Sequence, residues 1–199
     1  MSKSSIPCSI SFSSVVPSAF SINVTSDGGY IVSGMTGLYQ QFNVFLMKLG
    51  SENTSLEVSF LEDWNLVGLP LETEDFYYTS IFPDAIEMTL FSYDNGYLLE
   101  SSLSVGTGYW LRFNVVGSTT ILGTPINGVS ISLDEGWNLI SGITISLDIT
   151  EIQDPGEIII AGTFYGFSSD GYFNTENIEP GEGYWVRASA SGSITIIEN

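Results

Sequence analysis

Residues 58–68 read Val-Ser-Phe-Leu-Glu-Asp-Trp-Asn-Leu-Val-Gly, and residues 131–141 read Ile-Ser-Leu-Asp-Glu-Gly-Trp-Asn-Leu-Ile-Ser, the same pattern 73 positions further on. Downstream, Leu103-Ser-Val-Gly-Thr-Gly-Tyr-Trp-Leu-Arg112 returns as Ile178-Glu-Pro-Gly-Glu-Gly-Tyr-Trp-Val-Arg187, now at an offset of 75. Between these anchors Tyr93-Asp-Asn-Gly-Tyr97 answers Ser168-Ser-Asp-Gly-Tyr172, and beyond them Gly117-Ser-Thr-Thr-Ile121 answers Gly192-Ser-Ile-Thr-Ile196. Self-similarity at a fixed period marks a repeated structural unit. It divides the chain into a first copy over 56–123 and a second over 124–199, behind a segment 1–55 that belongs to neither.

Each copy predicts the same succession of elements. A strand alternates into Trp-Asn-Leu and continues through β-branched residues. Residues near 76–82 and 148–153 place acidic or Thr residues early and apolar ones at helical spacing, with Pro83 or Pro155 to stop them, which predicts one short helical turn per copy. Asp94-Asn-Gly96 predicts a hairpin with a type I′ turn, since Asn-Gly tolerates positive φ at both central positions, and Ser169-Asp-Gly171 predicts its counterpart. Two glycines ahead of each Tyr-Trp allow a backbone path closed to β-branched residues before the chain re-enters a strand. The expected fold class is all-β, with two tandem antiparallel β-sandwich-like modules, one short helical turn in each, preceded by a blade-like β segment.

In Gly-Tyr-Trp-Leu-Arg and Gly-Tyr-Trp-Val-Arg, strand alternation sets Tyr and the aliphatic residue on one face and Trp with Arg on the other. Arg112 and Arg187 are two of only four basic residues in the chain, and they stand at equivalent positions. One reading is structural, with each guanidinium covering an indole face or neutralising a carboxylate. The other is functional. Trp110 with Arg112 and Trp185 with Arg187, flanked by Tyr97 and Tyr172, would form an aromatic platform with a cation, able to stack on a sugar ring or grip a partner's acid. Trp64 and Trp137 are expected in the core, their N–H groups satisfied inside.

Ahead of the copies, a Ser-rich start runs to about Pro17. Then Ile22-Asn-Val-Thr-Ser-Asp-Gly-Gly-Tyr-Ile-Val-Ser-Gly-Met-Thr36 reads as strand, Asp-Gly-Gly turn and strand, and Asn43-Val-Phe-Leu-Met-Lys-Leu49 as a further strand. This segment resembles one blade of the bacterial propeller-like repeats with a T-S-D-G-G-Y-I-V-x-G core. A lone blade cannot bury both faces, so it is expected to pack on the first module, another subunit or further sequence.

Composition narrows function by exclusion. With 43% hydrophobic residues over 199 positions the chain can bury a core. Its 23 acids against 4 bases give a net charge of −19, which repels nucleic acid and anionic membrane surfaces. No apolar run approaches the roughly 18–20 residues of a membrane span, and the stretch to Phe20 forms no apolar signal-peptide core. The lone Cys8 makes no internal disulfide. No His is present, which removes Ser-His-Asp triads and His-ligated metals, and one Cys removes thiolate zinc sites. A carboxylate pair for glycoside hydrolysis can be drawn by chance from 23 acids, so it carries no information. The sequence is expected to be non-catalytic and without a cofactor. Calcium is the ion that Glu72-Thr-Glu-Asp75 and Asp94-Asn95 would suit, but no D-x-[DN]-x-[DN]-G loop accompanies them.

The paired Trp-Asn-Leu and Pro-Gly-x-Gly-Tyr-Trp-Val signatures over 56–198 resemble the G-W-N-L-I-S … P-G-x-G-Y-W-V repeat of large surface and secreted proteins of marine and gliding bacteria. Copy one departs from that pattern with Asp63 for the first Gly and Val105 for Pro, both in turns. The resemblance implies an accessory β module at the cell surface or outside the cell, beside adhesion or sorting domains. The expected function is a structural or adhesive β-repeat protein, a spacer or an assembly subunit that self-associates. The alternative is a carbohydrate-binding module that stacks surface glycans on exposed aromatics.

Overall fold

β-branched and aromatic residues alternate through both copies, and a half-buried pleated strand is the geometry that suits them. The computed structural model describes residues 18–24, 30–36, 43–49 and 53–198. It divides into two units, 1–52 and 53–199. In the first, β1 (Ser18–Val24), β2 (Tyr30–Thr36) and β3 (Asn43–Leu49) pair antiparallel in that order, with Val24 opposite Tyr30 and Thr36 opposite Asn43. The expected Ser-rich start and Asp-Gly-Gly turn lie outside the described residues, as does Cys8.

The second unit holds both copies and is all-β. Copy one contributes β4 (Thr54–Phe60), β5 (Asp63–Val67), β6 (Leu71–Glu72), the single-turn helix α1 (Tyr78–Ile81), β7 (Phe91–Tyr93), β8 (Tyr97–Leu99), β9 (Tyr109–Phe113) and β10 (Gly117–Pro125). Copy two contributes β11 (Gly128–Leu133), β12 (Gly136–Ser141), β13 (Leu147–Asp148), a 3-10 turn (Ile149–Glu151), β14 (Tyr165–Ser168), β15 (Gly171–Asn174), β16 (Asn177–Ile178), β17 (Gly183–Ala188) and β18 (Gly192–Ile197). Each copy builds a four-stranded sheet, β5-β9-β7-β8 or β12-β17-β14-β15, and all pairings are antiparallel. A second layer covers it, β4-β10-β6 in copy one and β11-β18 with β13-β16 in copy two.

The core of copy one lies between its layers. Val58, Phe60 and Ile121 from the cover meet Tyr109, Leu111 and Phe113 of β9, with Ile81 and Phe82 closing one end. Phe60 stacks on Phe113 at 3.8 Å between centroids, nearly parallel. Copy two repeats the arrangement with Leu133, Ile194 and Ile196 over Tyr184, Val186 and Ala188.

The helical turns fall where expected, and both are tied by an aspartate. Asp75 accepts from the Tyr77 N–H and the Ser80 hydroxyl, and Asp148 from the Thr150 N–H and hydroxyl. Both hairpin turns differ from expectation: in copy two the loop is Ser169-Asp170, and Gly171 after it is the residue with positive φ, at 98°. The copy-one hairpin pairs Tyr93 with Tyr97 across a three-residue loop, Asp94–Gly96, in which Asn95 alone is left-handed, at φ 50°. A type I′ turn needs two central residues at positive φ. The additional residue here relieves Gly96 of that conformation.

Candidate functional site

Two residues of the repeated signature act as clamps in each copy, and they set the site's walls. The amide oxygen of Asn65 accepts from the Leu61 N–H while its NH2 donates to the carbonyls of Leu61 and Asp63. Asn138 does the same for Asp134 and Gly136. The loop entering each four-stranded sheet is thus held by a side chain able both to donate and to accept. At the other end, the hydroxyls of Tyr109 and Tyr184 accept from the N–H groups of Ser104 and Glu179. The Tyr184 hydroxyl also donates to Glu182, and burial pushes its pKa far above the usual phenol range, with Glu182 adding to the rise.

The glycines of the signature bring the copies together. Gly106, at φ 81°, lies against Val129 and Ile131 of copy two, whose side chains would stand 3.0 Å from an added Cβ. Its equivalent Gly181, at φ 83°, lies against Val58 of copy one, 2.6 Å from an added Cβ. Each loop of one copy is therefore pressed onto the first strand of the other. The exchange is reciprocal in the backbone as well. Gly68 N–H donates to the Gly181 carbonyl at 2.9 Å and Ser141 N–H to the Gly106 carbonyl at 3.0 Å. Val67 pairs with Glu182, and Thr107 with Ile140. The two copies form one unit about an approximate two-fold axis.

That axis explains why β9 and β17 carry an unbroken apolar run, Tyr-Trp-Leu and Tyr-Trp-Val. One face of each strand packs its own core, and the other packs the opposite copy, so both faces are buried. Across the seam Leu66 and Trp110 meet Leu139 and Trp185, flanked by Trp64, Phe91, Tyr93, Tyr165 and Phe167. The ring contacts match in pairs. Tyr93 meets Trp185 at 4.8 Å and 76°, and Phe167 meets Trp110 at 4.8 Å and 78°. Trp64 meets Trp110, and Trp137 meets Trp185, each edge-on at 6.3 Å.

The expected site residues divide accordingly. Trp110 and Trp185 are only 9% and 8% exposed, covered by neighbouring rings rather than presented as flat platforms. Tyr97 and Tyr172 are each 57% exposed and stand at the rim. The expectation of core Trp64 and Trp137 is corrected. Trp64 is half-buried and Trp137 is 42% exposed, because both stand where the seam opens to solvent. Arg112 pairs with Asp63 at 2.6 Å and sits over the Trp64 ring, 5.9 Å from its centroid. Arg187 is exposed, and Gly136 occupies the position equivalent to Asp63, so the carboxylate that holds Arg112 has no counterpart there.

Two clefts open along the seam. The first, of about 410 Å³, is lined by Trp137, Tyr165, Tyr172 and Trp185 of copy two and by Tyr93 and Tyr97 of copy one. The second, of about 380 Å³, is lined by Trp64, Phe91, Tyr97 and Trp110 with Phe167 from copy two. Both fall in the size range of small-molecule sites. Their chemistry differs, since the first cleft has four phenol hydroxyls and the second has one. Burial raises the Tyr172 phenol pKa, Tyr97 adds to the rise, and the Trp185 indole N–H opposes it. That N–H is buried without a hydrogen bond of good geometry. Sequence reasoning found the rim tyrosines and missed Tyr93, Tyr165 and Phe167, whose role depends on the pairing of the two copies.

Among the described residues no group of three or more Cys, Asp or Glu is placed to hold a metal ion, and no helix is long and apolar enough to cross a membrane. Neither cleft is lined by a carboxylate or an amine. No family model matches the chain, and no curated protein or solved structure matches it.

Proposed function

We propose that this chain is a non-catalytic adhesive β-repeat module of a surface or secreted protein, in which the duplicated halves form one unit that captures a ligand at their seam. The observation carrying this reading is the pair of aromatic clefts assembled from both copies. Two interlocked repeats make a stiff element suited to display, and a net charge of −19 keeps such an element soluble and apart from its own copies. The resemblance of 56–198 to the G-W-N-L-I-S … P-G-x-G-Y-W-V repeat of bacterial surface proteins supports the same placement. Tyr97 and Tyr172, with rings more than half exposed at the rim, favour a second reading as a carbohydrate-binding module that stacks sugars there.

Light scattering across protein concentration, at low and seawater-like salt and with or without calcium, separates display from assembly. A monomer throughout is the expected result. Growth into oligomers would replace the displayed module with an assembly subunit. Capture by an immobilised panel of glycans and envelope polymers, compared between the wild type and Tyr97→Ala/Tyr172→Ala, then tests recognition. Loss of capture in the double variant is expected, and equal capture by both proteins would remove the seam as the adhesive site.

A further inference from the structure

We infer that the cleft between Trp137, Trp185 and the tyrosines binds a small quaternary ammonium compound, with its cation against the aromatic walls. This rests on the seam being the recognition site, and it assigns the ligand's chemical class. The first support comes from the molecule's own asymmetry. In copy one, Trp64 carries a cation already, the Arg112 guanidinium held over the ring by Asp63. In copy two the equivalent ring, Trp137, is 42% exposed, and Gly136 stands where the anchoring aspartate would be. Among the described residues Arg112 alone lies over a ring. The tryptophan at this position thus accepts a cation in copy one, where the guanidinium is not part of the cleft lining, and no guanidinium lies over its counterpart Trp137.

Ring orientation is the second support. Trp137 stands at 88° to Trp185, Tyr93 at 76° to Trp185, and Trp137 at 57° to Tyr165. Crossed rings wall a cavity with π faces and edges from several sides, whereas a sugar platform needs one flat, open face. Sugars also bring a row of hydroxyls, each of which loses water and needs a partner, and the lining offers only phenol and indole groups. A primary ammonium has the same difficulty, because its three N–H donors would find no carboxylate in the cleft. A tetra-alkylated nitrogen has no N–H to satisfy and presents a diffuse positive surface, which the ring quadrupoles attract.

Charge complementarity is the third. All acidic residues except Asp27 and Glu52 lie in 53–199, where the bases are only Arg112 and Arg187. The two hairpins that supply the rim carry Asp94 between Tyr93 and Tyr97 and Asp170 between Phe167 and Tyr172, both exposed. An uncharged aromatic cleft set in a strongly negative surface draws in cations, then strips their water.

The experiment is titration of the full chain with choline and, separately, with its uncharged isostere 3,3-dimethylbutan-1-ol, read by tryptophan fluorescence. The expected result is saturable binding of choline, about tenfold or more tighter than that of the isostere and weakened by salt. Tyr97→Ala should weaken choline binding. Equal binding of the isostere, or no saturation by choline, overturns the inference whatever the variant does. If choline fails while the glycan panel captures the protein through the seam, only the ligand class falls. If both fail, the adhesive reading falls with it.

Discussion

Gly68 and Ser141 occupy equivalent positions in the two copies and meet back to back at the seam, so closely that a Cβ added to Gly68 would overlap the Cβ of Ser141. The approximate two-fold axis brings these positions together, and the site has room for one side chain. Gly68→Ala is therefore expected to destabilise the unit by about 2–3 kcal/mol, the scale of overpacking against a buried neighbour. Ser141→Gly in the same chain should recover most of that loss, since it vacates the contested space, and the Ser141 hydroxyl is buried without a partner. Urea unfolding of both single variants and the double variant measures the coupling. Additive losses would mean that the two residues do not compete for space.

Much of this arrangement is legible in the sequence, and the part that is not has a definite cause. The Trp-Asn-Leu and Gly-x-Gly-Tyr-Trp signatures locate every four-stranded sheet because their residues act locally: Asn65 and Asn138 clamp loops four residues away, and Tyr109 and Tyr184 clamp loops five residues away. Strand alternation also separates Tyr109 and Leu111 from Trp110 correctly. It cannot say what the second face meets. Trp110 is buried because copy two covers it, and Trp137 is exposed because the seam opens beside it. Those are consequences of an axis relating residues about 75 positions apart, which a pattern of period two does not encode.

The edge contact of Tyr93 with Trp185 and that of Phe167 with Trp110 are the closest ring contacts between the copies among the described residues. Each is expected to show a coupling energy of about 0.5–1.5 kcal/mol beyond area burial, as crossed aromatic pairs do. The measurement is a double-mutant cycle in which Tyr93 and Trp185 are each replaced by Leu, and likewise Phe167 and Trp110. Near-equal couplings at the two sites would reflect the axis, and coupling at one site alone would show that the copies lean on a single contact.

Asp63 holds a left-handed backbone, at φ 75°, where copy two has Gly136 at φ 104°. For a residue with a Cβ that conformation costs about 1–2 kcal/mol, and the exposed ion pair with Arg112 returns about 0.2–1 kcal/mol. Asp63→Gly removes both effects, so its stability should stay within about 1 kcal/mol of wild type. Asp63→Ala keeps the strained backbone and loses the pair, and should be the less stable variant by about 1 kcal/mol. Equilibrium unfolding ranks them, and a wild type well above both would mean that the ion pair contributes more than an exposed pair should.

The capped turns give the unit an acid-sensitive component. Hydrogen bonds hold both carboxylates below the usual Asp range: for Asp75 from the Ser80 hydroxyl and then the Tyr77 N–H, and for Asp148 from the Thr150 hydroxyl and then its N–H. A folded-state pKa below the unfolded value means that the unfolded chain binds protons first as pH falls. Their contribution is therefore complete above about pH 4, near the unfolded Asp value, and is lost as pH drops through the lowered folded values. Asp75→Asn/Asp148→Asn should lower stability at neutral pH, because an amide accepts more weakly from the same donors. It should also flatten the decline in stability as pH falls below about 4. Thermal unfolding across that range, wild type against the double variant, provides the check; parallel curves would show that these two carboxylates do not drive the acid limb.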